Sequence, residues 1–163
     1  MSADATRAFA RHAVATLAYR GTRSLRDCPE DFAAFRAGDP AARSRSAIEI
    51  LAHVGDLLEW AARLARGEQG WRPQPPVSWE HDVDRFYEGL RALDEALAAD
   101  AIPTYPIETI FQGPISDALT HIGQIGLLRR LAGSAVRGEV MVLAKVEIGR
   151  VGRNQAPPVR EFD

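Results

Sequence analysis

DALTHIGQIGLLRRLAG, residues Asp117 to Gly133, decides how the rest of the chain is read. It is built of helix-compatible residues and closes on a glycine, as a helix with a glycine cap does. At about 100° per residue, Asp117, His121, Gln124, Leu128 and Leu131 fall on one stripe. Leucine fills the C-terminal half, as a core-facing stripe requires. Asp, His and Gln fill the other half. A stripe that turns from apolar to polar without changing face predicts a polar site set into one end of a helical core. Burying such groups is costly unless something satisfies them. A metal ion would satisfy both Asp117 and His121, since i, i+4 spacing puts two ligands on one side of a helix. An aspartate in a first helical turn also complements the helix dipole, and the two roles are compatible.

Working outward, the Gly113-Pro114 pair predicts the start of this helix, proline being suited to a first helical position. Long Ala/Leu/Arg/Glu stretches predict three earlier helices. The first runs from about Ala5 to Tyr19, before Gly21. The second runs from Arg45 to Arg66, stopped by Gly67, and the third from Trp79 to Ala99, capped by Ser78. Between the first two, Arg26 to Pro40 holds Pro29, Gly38 and Pro40 and reads as a long loop with a helical turn near Phe32 and Phe35. The connector GEQGWRPQPPVS, with three prolines and two glycines, cannot be helical. Past Gly133, weak alternation from Val140 to Ile148 predicts a short strand or irregular arm, and NQAPPVREFD a tail laid over the surface. The expectation is one all-α domain over 1–163, an antiparallel four-helix bundle (about 5–133) with a short irregular or β-like C-terminal arm (134–163).

Composition narrows the function classes. A chain of 163 residues, 46% hydrophobic and 26% charged, has the balance of a globular protein with a real core. No apolar run reaches membrane-spanning length, and the N-terminal MSADATRAFARHAV lacks the pattern of a signal peptide. A net charge of −2 argues against a nucleic-acid surface. The single cysteine, Cys28, excludes an intramolecular disulfide and a thiolate-cluster metal site. These features predict a cytoplasmic protein with no membrane or nucleic-acid partner.

The second helix offers a further ligand. Its inward stripe is Ala47, Ile50, Leu51, Val54, Leu57, Leu58, Ala61 and Ala65, with Leu64 at the margin. His53 lies on the edge of this arc, while Glu49, Asp56, Glu59 and Arg63 fill the outer face. A lone histidine on an apolar edge is usually a core residue with a satisfied hydrogen bond. Facing an Asp-x-x-x-His helix, it completes a set. His53, Asp117 and His121 supply two nitrogens and one carboxylate oxygen, the composition of open divalent sites rather than of four-ligand structural zinc. Gln124 is placed to orient a ligand from behind. His12 either lines the same cavity or packs at the rim, and His81 is expected in solvent. Trp60 is placed to lean on His53. Gly123 and Gly126 permit close backbone approach, within the bundle or across a dimer interface.

With these residues in place, the chain resembles the DinB/YfiT-like superfamily of metal-dependent enzymes. LAHVGDLLEW, with His53, and DALTHIGQIGLLRRLAG, with Asp117 and His121, carry the resemblance, which spans roughly Phe9 to Gly133. It implies a four-helix bundle, often dimeric, with a divalent metal (zinc or nickel) in a pocket at one end. Much of that family has His-x-x-x-His in its fourth helix; here Asp117 stands first, as an acid does in the thiol-dependent maleylpyruvate isomerase branch. That branch implies a low-molecular-weight thiol as cofactor. It also carries a further C-terminal domain, where this sequence has a tail with Arg137, Lys145, Arg150 and Arg153. The tail either binds an anion at the pocket mouth or packs on the surface, and packing is the favoured reading.

The leading functional expectation is therefore a divalent-metal-dependent enzyme in which an activated thiol or water attacks a small electrophilic substrate. No Ser/His/Asp or Cys/His nucleophile and no phosphate loop stands out. The alternatives are a non-catalytic bundle tethering a small molecule through the metal, and a structural dimeric bundle with a buried polar cluster.

Overall fold

A computed structural model describes residues 3–39, 41 and 44–162; Pro40 and Asp163, which the loop and tail expectations include, lie outside them. Helix α1 spans Ala3–Leu25 and is longer than the sequence predicts, because Gly21 does not end it. Gly21 is buried within the helix, where a Cβ would overlap the ring of Phe86. Glycine is there for close approach rather than as a stop. Gly21→Ala is expected to overpack this contact and cost about 1–3 kcal/mol, read as a lower thermal midpoint. An unchanged midpoint would show that Phe86 has room to move aside.

A 3-10 turn, Phe32–Ala34, interrupts the following loop and buries Phe32 edge-on against Trp79. Helix α2 spans Ala47–Ala65, starting two residues later than expected because Ser46 and Glu49 form a reciprocal capping box. Every residue of its predicted inward stripe is buried. Helix α3 spans Trp79–Ala98, and the Ser78 hydroxyl accepts from the His81 amide, the cap expected from sequence.

The last helix is preceded by a short helix that the sequence reading leaves as connector. Helix α4, Ile107–Ile110, continues through a π-helical turn, Phe111–Ile115, directly into α5, Ser116–Leu131. Gly113 has a non-helical ψ that kinks the chain, so the helix carrying Asp117 opens at Gly113-Pro114 as the sequence predicts. Proline has no N–H to give and its ring crowds the preceding turn. The widened turn absorbs both, with Gly113 departing to φ −85° and ψ −106°. Gly133, at φ +76°, closes α5 in a conformation that suits glycine.

Around the bundle the order is α1, α3, α2, α5, each packing on the next and α5 closing the ring onto α1. Cross-contacts give the directions. Arg11 meets Asp94 while Arg7 reaches the carbonyls of Leu97 and Ala101, so α1 and α3 are antiparallel. Thr6 meets Glu108 at one end of α1, and Arg129 caps the carbonyl of Arg26 at the other, so α1 and α5 run alike. Thr104, just past α3, bonds the Leu64 and Glu68 carbonyls at the end of α2. Helices α2 and α3 thus also run alike, giving an up-down-down-up bundle. The proline-rich connector makes this possible. Fully extended, its dozen or so residues reach about 40 Å, and α2 is about 28 Å long. It runs back along α2, with Gly70 bonded by Arg63 and Gln74 by Glu59 and Asp56.

The C-terminal arm forms a two-residue antiparallel ladder, β1 (Gly138–Glu139) with β2 (Glu161–Phe162), around an irregular excursion. It is pinned to α1, where Tyr19 and Arg23 both donate to the Glu139 carboxylate at 2.8 Å. Arg153 lies over the Tyr87 ring of α3 at 4.8 Å. No helix among the described residues is long and apolar enough to cross a membrane.

Candidate metal centre

The antiparallel contact of α2 and α5 brings His53 against Asp117 and His121. His53 Nε2 stands 3.9 Å from one carboxylate oxygen of Asp117, and His121 Nε2 stands 3.5 Å from the other. The two imidazoles meet edge-on with centroids 4.9 Å apart. One donor atom from each residue lies within 4.8 Å of the others, an arrangement able to hold a metal ion. Two ligands on a tetrahedral zinc with bonds of about 2.0–2.1 Å are about 3.3 Å apart. The donor set therefore fits a divalent ion after a small inward closure.

His121 is also engaged by Gln124. Its Nδ1 lies 2.9 Å from Gln124 Oε1. An Nδ1–H donated to that amide oxygen would leave the Nε2 lone pair facing the Asp117 side. Gln124 lies on α5 one turn after His121. Gln124→Ala should weaken zinc affinity about 10–100-fold without loss of the fold, measured by competition with a chromogenic chelator. Unchanged affinity would reduce Gln124 to a surface residue.

Exposure is graded across the three. The side chains of His121, His53 and Asp117 are 13%, 23% and 50% exposed. Burial lowers the pKa of His53, with Arg45 and His121 pushing the same way against Asp117 and Asp56. A lowered value keeps His53 neutral at pH 7, the form that binds metal. The metal-free fold accordingly loses stability as pH falls from the ordinary histidine value through that of folded His53, where the unfolded chain binds the extra proton. Urea melts at pH 7.5 and 5.5, compared with His53→Gln, isolate this contribution: the wild type should lose more on acidification than the variant. An equal loss in both would assign the pH dependence to other groups.

Two open cavities flank His53. One, about 540 Å³, is walled by Ala37, Ser44, Arg45, Ile50, Leu127 and Leu128, with His53, His121 and Gln124 along one side. The other, about 530 Å³, lies between Arg36, Arg45, Glu49, Asp56 and Gln74. Ser44, Arg45 and His53 are common to both.

Several sequence expectations are corrected here. Leu131 is not in the core stripe; it is 56% exposed, since α5 ends there and the bundle no longer covers it. Asp56 is not on the wet side but 4% exposed, held by Arg85 of α3 at 2.8 Å. Trp71, not Trp60, stacks edge-on against His53 at 5.8 Å, and Trp60 supports Trp71 from behind at 5.4 Å. The returning connector carries Trp71 there, and no periodicity within α2 forecasts that. His12 is exposed and lines neither cavity. The tail packs on α1 and α3, and Arg137, Lys145, Arg150 and Arg153 line neither cavity. Arg45 was not singled out by sequence; its only signal is a position just ahead of the Ser46 cap.

No protein-family model, curated protein or solved structure matches this chain.

Proposed function

We propose that the chain is a divalent-metal-dependent enzyme for a small molecule, with His53, Asp117 and His121 as the metal ligands. The observation that carries this reading is the convergence of three donors, one on α2 and two on α5, beside an open cavity. Three protein ligands leave coordination positions free, as catalytic sites do. The order and spacing of the two motifs, resembling the DinB/YfiT-like superfamily, supports the same reading and favours zinc or nickel. The ion would supply Lewis acidity, favouring the anionic form of a small thiol or of water at neutral pH.

The chain's own residues do the rest. Gln124 orients the His121 ring. Ile50, Leu127 and Leu128 form the apolar wall against which a small electrophile would lie. Trp71 packs edge-on against His53 and steadies its ring. Attack by the activated thiol or water gives transfer, isomerisation or hydrolysis according to the electrophile. The test is turnover by zinc- or nickel-loaded protein with a panel of low-molecular-weight thiols and α,β-unsaturated or epoxide electrophiles. Turnover lost in His53→Ala supports the enzyme; ligand binding without turnover across the panel would favour a metal-tethered binding protein.

A further inference from the structure

The cavity beside His53 and His121 has an uneven wall. Ala37, Ile50, Leu127 and Leu128 make it apolar over most of its extent, and Arg45 is the one permanently cationic side chain among the described residues that line it. Arg45 makes no hydrogen bond or ion pair among the described residues, whereas Arg36 nearby is engaged by Glu49 at 2.9 Å and by the Ser44 carbonyl. Charge at the site is also unbalanced. A divalent ion held by two neutral imidazoles and one carboxylate keeps one net positive charge, and Arg45 adds a second. A ligand with a metal-binding end, a short apolar body and a carboxylate would neutralise this pair and cover the leucines. A neutral ligand would leave the guanidinium to water.

We infer that Arg45 is a specificity-determining residue that selects small monocarboxylates, seating the carboxylate against its guanidinium while the other end of the molecule reaches the metal centre. The inference rests on the metal-centre reading above and adds the substrate class. Guanidinium recognises carboxylate through two parallel N–H donors, a geometry that lysine or a neutral amide does not reproduce.

The test uses cobalt-loaded full-length protein, with cobalt as a spectroscopic stand-in for zinc. The probes are 3-mercaptopropionate and its uncharged methyl ester, which differ in the charge at one end. Binding is followed by the thiolate-to-cobalt charge-transfer band. The wild type should bind the acid about tenfold more tightly than the ester, the scale of one charge-assisted contact. Arg45→Gln should bring the two within twofold while leaving the ester's affinity unchanged, and Arg36→Gln should retain the preference. Equal binding of acid and ester to the wild type, with a clear cobalt spectrum, would overturn the role of Arg45 and leave the metal centre standing. A preference that survives Arg45→Gln would do the same. No cobalt spectrum in any variant would overturn both.

Discussion

Arg85→Met is expected to destabilise the fold by about 3–5 kcal/mol at neutral pH, the cost of breaking a buried ion pair by removing one partner. Arg85 lies inside the α2–α3 contact, bonded to Asp56 and Glu59 at 2.8 Å and to Asp82 at 3.3 Å. Burial opposes its charge, yet hydrogen bonds to Asp56 and Glu59 more than offset this and raise its pKa. Asp82 and Asp56 are themselves buried, so methionine leaves two carboxylates without their cation. Each keeps one backbone partner, Val77 for Asp82 and Gln74 for Asp56, which is too little to solvate a charge. Urea unfolding at pH 7 measures the loss. A loss under about 1 kcal/mol, on the scale of a surface pair, would mean that the cluster is solvated.

The second large effect is the linkage between metal and stability. Zinc at about 100 times its dissociation constant should stabilise the wild type by about 2.7 kcal/mol, because the unfolded chain lacks the preformed set of His53, Asp117 and His121. His53→Ala should show almost none of this gain, since it leaves two ligands on α5 and none on α2. The metal-free variant should keep its fold, the histidine being at the edge of the α2 core stripe. Thermal melts with and without zinc separate the two states. An equal gain in wild type and variant would place the bound ion elsewhere.

Much of this arrangement is legible in the sequence, and the exceptions share a cause. The α2 stripe, the Ser78 cap and the Gly133 stop depend on residues within a turn or two of one another, so local rules recover them. His53, Asp117 and His121 were singled out because polar groups interrupt apolar faces, a signal that is also local. Asp56 was misread because its partner, Arg85, lies on another helix and arrives only when the connector returns along α2. A charged residue on a wheel looks solvated until its counter-ion is known. Trp71 reaches His53, and Arg45 the cavities, through non-helical segments whose course no helical periodicity reports. Gly21 looks like a boundary but makes room for Phe86, whereas Gly113-Pro114 does mark a break between helices. Local chemistry supplied the elements and the candidate donor set, while long-range packing supplied the walls around it.

The most direct measurement is the metal content of purified, tag-free protein by elemental analysis after incubation with zinc or nickel. Wild type should be set beside His53→Ala, Asp117→Ala and Asp56→Asn. A three-residue centre predicts about one divalent ion per chain in the wild type and in Asp56→Asn, with loss of the ion in the other two. A wild type that binds no metal under these conditions, or variants at His53 and Asp117 that keep it, would contradict the site.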